Sequence, residues 1–249
     1  MKLKNKQGEK IDFIVEGKSN SPMTVIFVHG FGTNRDEGYN LFADISKPLA
    51  KKYRLLRFDF SGYGKSEGKQ ENVNLIKQAS DLEAVLKYTK GRYGNRIWII
   101  ACSNGCHVVS MLSPDGIEKT VFVSPPDSRS SQVIKRLKYR IESRPGGILS
   151  LSGISKYPRT GGEIQFIGSD YWKMLKKFKL SVLLKKYAKK TRMAILVPKD
   201  DDFIEHKNMR LYKTIKSAYF SEIDGNHAFT KGEDRKRLIV KIQSFLETP

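Results

Sequence analysis

Short apolar runs rich in β-branched residues recur along this chain, and helix-like patterns separate most of them. Six runs have the composition of buried strands: Thr24–Val28, Arg54–Phe58, Arg96–Ile100, Thr120–Val123, Met193–Val197 and Ser217–Phe220. Continuous apolar runs are typical of strands buried on both faces, and strands that alternate with helices form a mainly parallel sheet. The sequence therefore predicts an α/β fold, with functional side chains beyond the carboxyl ends of the strands.

The helical patterns complete this prediction. They cover roughly Tyr39–Lys52, Val73–Lys90, Asn104–Leu112, His206–Ile215 and Arg235–Leu246. A further apolar run at Ile11–Val15 follows Gln7-Gly8-Glu9, which is the composition of a hairpin. We expect a sheet of about eight strands with helices on both faces. The 249 residues, 39% of them apolar, suit one domain over residues 1–249.

One long connection interrupts the alternation. About seventy residues separate the Thr120 and Met193 runs, far more than an ordinary connection needs. We call residues 125–191 the insertion and expect it to form a cap or lid after the sixth strand. Between residues 128 and 192 there are seventeen Lys or Arg and three Asp or Glu, a net +14 of the chain's formal +20. The excess positive charge therefore belongs to the insertion.

Cysteine usage and the absence of long apolar segments indicate the compartment. Cys102 and Cys106 have no second pair, so the sequence predicts neither a disulfide framework nor a structural zinc site. No segment has the length of a signal peptide's apolar region or of a membrane span. These features predict a soluble cytoplasmic protein.

A candidate nucleophile follows the Arg96 run. Ala101-Cys102-Ser103-Asn104-Gly105 stands between a strand and a helix, the context of the G-x-S-x-G nucleophile elbow. The strained turn requires tiny residues two positions before and after Ser103, and Ala101 and Gly105 satisfy this. Taken alone, the same residues also fit simple helix N-capping by Ser103.

Two further motifs precede this one in chain order. His29-Gly30-Phe31-Gly32 follows one strand, and Asp59-Phe60-Ser61-Gly62-Tyr63-Gly64-Lys65-Ser66 follows the next. With these motifs the sequence resembles the α/β-hydrolase superfamily. The stretch from His29 to Met111 looks most like the cinnamoyl and feruloyl esterase branch. The resemblance covers most of the chain except the insertion, so that branch's aromatic-ester specificity is not carried over.

A serine nucleophile needs a base and an acid, which this fold supplies in the order Ser, Asp, His. The resemblance assigns the base to His227, in Asp224-Gly225-Asn226-His227 after the last strand. The other histidines have structural interpretations: His29 precedes the oxyanion turn, His107 lies on the helix after Ser103, and His206 begins an exposed helix.

Three adjacent carboxylates are candidates for the acid. The family's acid is followed, after one residue, by two apolar ones, and Asp201-Asp202-Phe203-Ile204 fits this spacing. We therefore expect Asp201, with Asp200 as the alternative and Asp127 as the acid used in some other branches. Pro198 replaces the family's usual glycine three positions before the acid.

The resemblance also implies an oxyanion hole formed by the backbone N–H groups of Phe31 and Asn104. Gly62 and Gly64 are better explained by a tight turn than by substrate contact. The Gly30–Arg35 segment is neither a P-loop nor a dinucleotide fingerprint, and no HExxH-like pair exists. The sequence thus implies no cofactor and no metal. Cys102 is expected to point into the core as an inert thiol.

The segment Trp172–Lys190 is basic and amphipathic, which predicts a helix or a helix pair. The simplest interpretation is a lid whose apolar side covers the site, with Trp172 and Phe178 in the substrate pocket. Recruitment of an acidic acyl carrier or an anionic surface is a second interpretation. Nucleic-acid binding is the least favoured, because no recognition motif accompanies the charge.

Three functions follow from these observations. The first is a serine hydrolase that cleaves a carboxylic ester, with Ser103, His227 and Asp201 as its triad. The second is a thioesterase or acyltransferase acting on carrier thioesters, because Ala101 and the acid loop also resemble bacterial acyltransferases that make free fatty acids. The third is a non-enzymatic binding protein of this fold, against which the order of the three residues argues.

Overall fold

The computed structural model describes residues 1–127, 129–201, 203 and 210–248, and only the backbone of residues 210 and 211. Eight of its strands form one sheet: β1 Lys2–Lys4, β2 Lys10–Gly17, β3 Thr24–Val28, β4 Arg54–Phe58, β5 Ile97–Cys102, β6 Ile117–Val123, β9 Arg192–Pro198 and β10 Ala218–Ile223. Their order is β1-β2-β4-β3-β5-β6-β9-β10. Strands β1 and β2 are antiparallel, β2 is antiparallel to β4, and all other neighbours are parallel. The predicted fold class is confirmed.

Helices cover both faces of this sheet. Outside the insertion they are α1 Leu41–Leu49, α2 Leu75–Tyr93, α3 Asn104–Leu112, α7 Arg210–Lys213 and α8 Gly232–Glu247. One apolar cluster packs α2 and α3 against the sheet, and a second packs α1 and α8 against the opposite face. Strands β3 and β5 are buried at every residue, because both clusters use their side chains. This explains why these strands are continuous apolar runs rather than alternating ones.

The helix predictions agree with the structure to within a few residues at the ends. The segment Asn104–Leu112 agrees exactly, whereas α1 is shorter than Tyr39–Lys52 and α8 begins before Arg235. Of the predicted helix His206–Ile215, the described part contains α7 and ends in a turn. Its start, with His206, lies outside the described residues.

The insertion contains more structure than the sequence indicated. It holds α4 Ser130–Glu142, a separate two-stranded sheet of β7 Ser155–Pro158 and β8 Ile164–Ile167, and the helices α5 Ser169–Lys177 and α6 Leu180–Tyr187. The last two are the predicted helix pair. Helix α6 packs against α3, and α5 packs between α2 and α4. The apolar stripe of this pair therefore joins the core.

The buried histidine of α3 makes stability depend on pH. Burial lowers the pKa of His107 from 6.5 to about 3. Between these two pH values the unfolded chain binds a proton on this residue and the folded protein does not. Stability should therefore fall as the pH falls from 6.5, by up to about 1.4 kcal/mol per pH unit from this group. We expect His107→Leu to remove this contribution, as measured by urea unfolding at pH 7, 6 and 5.

His29 is also buried with a lowered pKa, but it is present in both proteins and cancels in the comparison. Equal pH slopes for the parent and the His107→Leu variant would contradict the prediction.

Candidate active site

The turn from β5 into α3 holds Ser103 in a strained conformation. Its φ of 50° and ψ of −124° fall where residues with a side chain are rare. The turn also brings α3 against the end of β3. A Cβ on Gly105 would lie 2.3 Å from the carbonyl oxygen of Val28 and 2.8 Å from that of His29. Only glycine fits at residue 105, as the elbow motif predicts.

Ser103 occupies the N-cap position of α3, but its side chain makes no capping hydrogen bond. Its Oγ lies 3.0 Å from Nε2 of His227 instead. The N-capping interpretation therefore does not describe this side chain. The strained backbone directs the hydroxyl away from the helix and towards the loop that follows β10.

His227 links Ser103 to Asp201. Its Nδ1 lies 2.8 Å from Oδ2 of Asp201, whose side chain is fully buried. An ionised carboxylate only accepts hydrogen bonds, so the Nδ1–H donates to Asp201 and the neutral ring presents Nε2 as an acceptor to Ser103. The Phe203 N–H donates to the other Asp201 oxygen at 2.7 Å, and the Phe203 ring lies 4.2 Å from the His227 ring. Both partners are thereby held in place.

The other candidate acids lie elsewhere. Asp200 is exposed, and its backbone N–H donates to the Gly225 carbonyl at 3.0 Å. The Asp127 carboxylate accepts hydrogen bonds from the backbone and side chain of Arg129. Asp202 and Ile204 lie outside the described residues. Of the described carboxylates, Asp201 is the one that meets His227.

The loop after β3 presents the first predicted oxyanion donor. The Nε2 of His29 accepts from the Phe60 N–H at 3.0 Å, and its Nδ1 lies 2.9 Å from the Gly30 carbonyl oxygen. The Glu37 carboxylate accepts hydrogen bonds from the N–H groups of Gly30 and Gly38. Phe31 lies between these anchors, so its backbone is fixed.

Within the described part of the chain, neither the Phe31 nor the Asn104 N–H has a hydrogen-bond partner. The Asn104 side chain, in contrast, makes two hydrogen bonds. It donates to Gln78 at 3.1 Å and accepts from the Tyr171 hydroxyl at 3.3 Å. Two backbone donors of the kind that an oxyanion requires are thus available beside Ser103.

The motif that begins at Asp59 has a structural function in the same region. Asp59 accepts hydrogen bonds from Arg35, with which it also forms a buried ion pair, and from the Lys65 N–H at 2.9 Å. A Cβ on Gly64, whose φ is 53°, would lie within 2.5 Å of the Asp59 carboxylate. The turn therefore ties the loops after β3 and β4 together, and its glycines provide the close approach.

Neither cysteine has the environment of a nucleophile. Cys102 and Cys106 are buried, and the loss of solvation raises the pKa of each thiol well above its ordinary value. A thiol becomes reactive as the thiolate, which this environment disfavours. Burial therefore keeps both groups as unreactive thiols.

Ser103 and His227 open into a cavity of about 910 Å³. Its walls include Phe31, Tyr39, Leu137, Tyr157, Tyr171 and Phe203. Trp172 and Phe178, which we expected in the pocket, are not among the lining residues. Trp172 is 1% exposed and packs in the core, and Phe178 lies against the same cluster. The neighbour Tyr171 faces the cavity instead and lies 4.8 Å from the Phe31 ring.

Comparison with known proteins identifies this fold. A family model described as the alpha/beta hydrolase fold matches residues 24–147. The chain has the α/β-hydrolase fold. No curated protein matches the sequence.

Solved structures agree with this assignment over nearly the whole chain. Est1E from Butyrivibrio proteoclasticus, solved with ferulic acid bound, is 19% identical with a TM-score of 0.76, and the match covers 99% of this chain and 97% of that one. An esterase domain from Rhodothermus marinus is 17% identical (TM-score 0.73, coverage 98% and 95%). The Pyrococcus furiosus esterase Pf2001 is 20% identical (TM-score 0.70, coverage 99% and 89%). At these low sequence identities, the similarity shows a shared fold.

Two kinds of feature are absent from the described residues. No helix there is both long and apolar enough to cross a membrane. No three His, Cys, Asp or Glu side chains in the described ranges lie close enough together to hold a metal ion.

Sequence reasoning missed the cavity wall that the insertion adds to this α/β-hydrolase fold. Residues of α4 and of the β7–β8 region line the cavity, including Arg136, Arg140 and Arg159. The sequence feature that pointed to this wall was the excess of positive charge between residues 128 and 192. The amphipathic stripe of α5 and α6 was more conspicuous, but it serves packing.

The close contact between Gly105 and the β3 backbone leads to a testable prediction. Gly105→Ala should displace α3 from the β3 backbone, lowering stability by more than about 2 kcal/mol and reducing the reactivity of Ser103. Thermal unfolding and labelling by a fluorophosphonate probe measure the two effects.

Gly91 is the matched control, because it lies in α2 and a Cβ there meets nothing within 4 Å. Gly91→Ala should raise stability by about 0.5–1 kcal/mol. If Gly105→Ala behaves like Gly91→Ala, the close contact does not constrain the turn.

Proposed function

We propose that this protein is a serine hydrolase that cleaves carboxylic esters through an acyl-enzyme intermediate. The observation that carries the proposal is the hydrogen-bonded chain from Ser103 through His227 to the buried Asp201, at the edge of a large cavity. A buried carboxylate, an oriented imidazole and a strained serine are what activation of a hydroxyl requires. Esterases among the structures of similar fold are consistent with it.

In the first half of the reaction, Ser103 Oγ attacks the ester carbonyl carbon while its proton passes to Nε2 of His227. The carbonyl π electrons move to oxygen, and the N–H groups of Phe31 and Asn104 stabilise that oxyanion. When the intermediate collapses, the carbon–alkoxy bond breaks. The alcohol leaves with the proton from His227, and the acyl group stays on Ser103.

Water completes the turnover. His227 accepts a proton from a water molecule as that water attacks the acyl carbon, and the second intermediate releases the carboxylic acid as Ser103 recovers its proton. Asp201 stays ionised throughout. It keeps the Nδ1 proton in place and stabilises the imidazolium that forms twice per cycle.

The triad assignment predicts two distinct losses of activity. Ser103→Ala should abolish fluorophosphonate labelling and lower kcat for a 4-nitrophenyl ester by about 10⁴-fold or more. Asp201→Asn should lower kcat by about 10⁴-fold with labelling slowed, because the imidazole then favours the wrong tautomer.

Asp200→Asn is the control for the acid, since Asp200 is exposed and Asp201, not Asp200, contacts His227. Its kcat should stay within about twofold of the parent. Activity that survives Ser103→Ala would refute the mechanism. Folded parent protein that resists the probe would favour a non-enzymatic binding role on this fold.

A second function, thioester hydrolysis or acyl transfer from an acidic carrier, has one observation in its favour. Helices α5 and α6 present exposed lysines, Lys176, Lys177, Lys185 and Lys186. An acidic carrier docked there would be attracted over a distance comparable with the Debye length, about 8 Å at physiological salt.

The dependence of turnover on salt concentration distinguishes action on a carrier thioester from hydrolysis of a neutral ester. Turnover of an acyl-carrier thioester should fall by about tenfold between 20 and 300 mM NaCl, while turnover of a neutral ester stays nearly constant. Steady-state kinetics on both substrates measure this. An equal response to salt would remove the carrier from consideration.

A further inference from the structure

Five cationic side chains of the described residues line the cavity beside Ser103. Helix α4 supplies Lys135, Arg136 and Arg140, the turn after it supplies Arg144, and the loop after β7 supplies Arg159. Among the described residues, the lining carboxylates are Glu37, Asp127 and Glu163. Glu37 already accepts two backbone hydrogen bonds, and Asp127 pairs with Arg129, which lies outside the lining. The cavity therefore has a positive wall.

Three of these arginines lack the carboxylate partner that several other arginines of this protein have. Arg35, Arg57 and Arg235 each form an ion pair with a carboxylate. Within the described part of the chain, no carboxylate pairs with Arg136, Arg144 or Arg159. A guanidinium left without an anion inside a cavity is available for one that a ligand brings.

Two of the three guanidinium groups are held in position. Arg144 donates to the Pro158 carbonyl at 2.8 Å and lies 5.3 Å from the centre of the Tyr157 ring. Arg159 lies 5.1 Å from the same ring and donates to Gln165 at 3.5 Å. Gln165 is itself buried and donates to the Tyr63 hydroxyl. Because these contacts use neutral acceptors and an aromatic ring, they orient the charges without neutralising them.

Arg159 also lies close to the reacting groups. A Cβ on Gly32 would be 3.2 Å from its Cζ, which places the guanidinium against the loop that carries the Phe31 N–H. At the other end of that loop, a Cβ on Gly30 would be 3.1 Å from the Cβ of Ser103. One short loop therefore separates the nucleophile from the positive wall.

We infer that the substrate carries an anionic group, a carboxylate or a phosphate, which binds to Arg144 and Arg159 beside the Tyr157 ring while its ester faces Ser103. The inference rests on the proposed function and specifies the substrate class. A planar guanidinium matches either anion with two parallel hydrogen bonds, and partial exclusion of water strengthens them.

Matched pairs of substrates test the inference. For an anion on the acyl side, mono-4-nitrophenyl adipate is compared with 4-nitrophenyl hexanoate. For an anion on the alcohol side, the hexanoate ester of 4-hydroxyphenyl phosphate is compared with that of 4-methoxyphenol. We expect kcat/KM in at least one pair to favour the anionic ester by about tenfold at low salt. The pair that responds identifies the side and the type of anion.

Variants connect that preference to the positive wall. Arg159→Gln and Arg144→Gln should each lower the ratio of anionic to neutral kcat/KM towards one, with circular dichroism as the check on folding. Arg92→Gln is the matched control, because Arg92 is exposed on α2 and absent from the cavity lining. It should leave the ratio unchanged. Ratios near one in both pairs, or a preference that persists in both cavity variants, would overturn the inference.

Failure of the proposed hydrolysis remains distinguishable from failure of this inference. If no ester is turned over, calorimetry compares binding of the 4-nitroanilides of adipic acid and hexanoic acid, which lack the ester. Tighter binding of the adipic derivative that Arg159→Gln abolishes would support an anion site without the esterase. Equal binding of the two anilides would refute the anion site.

Discussion

The close contact between the start of α3 and the end of β3 is the constraint on which the site depends. The neighbouring parallel strands β3 and β5 end at the same edge of the sheet. The chain must reverse direction after β5 without a steric clash with the β3 backbone. Gly105 permits this because its missing Cβ leaves room for the Val28 and His29 carbonyls. The reversal strains Ser103 and aims its hydroxyl at His227. Packing of the whole sheet thus holds the strain in place.

Buried polar contacts keep the surrounding loops in register with that turn. His29 connects the loop after β3 to Phe60, and Asp59 connects the same loop, through Arg35, to the turn after β4. Buried ion pairs contribute little net stability, but removing one partner leaves an uncompensated charge. Such contacts therefore fix the position of backbone donors such as the Phe31 N–H rather than strengthen the fold as a whole.

The insertion supplies the chemistry that the sheet lacks. Under the proposed function, the edge of the sheet provides the nucleophile, the base and the backbone donors of acyl chemistry. The wall formed by α4 and the β7–β8 region adds cations and aromatic rings on one side of the same cavity. Under the two proposals, the α/β-hydrolase fold sets the reaction and the insertion sets the substrate class.

The sequence was enough to predict most strands of the main sheet, their mainly parallel arrangement and the positions of Ser103 and His227 at strand ends, because apolar periodicity and short motifs are local properties. It left Asp200 and Asp201 as alternatives, since adjacent residues point in different directions and only the folded loop selects one. It also placed Trp172 and Phe178 in the pocket, whereas α5 turns Trp172 into the core and Tyr171 towards the cavity. Which face of a helix lines a cavity depends on every element that packs around that helix. The residues of the cavity wall therefore follow from the tertiary structure and could not be predicted from the sequence.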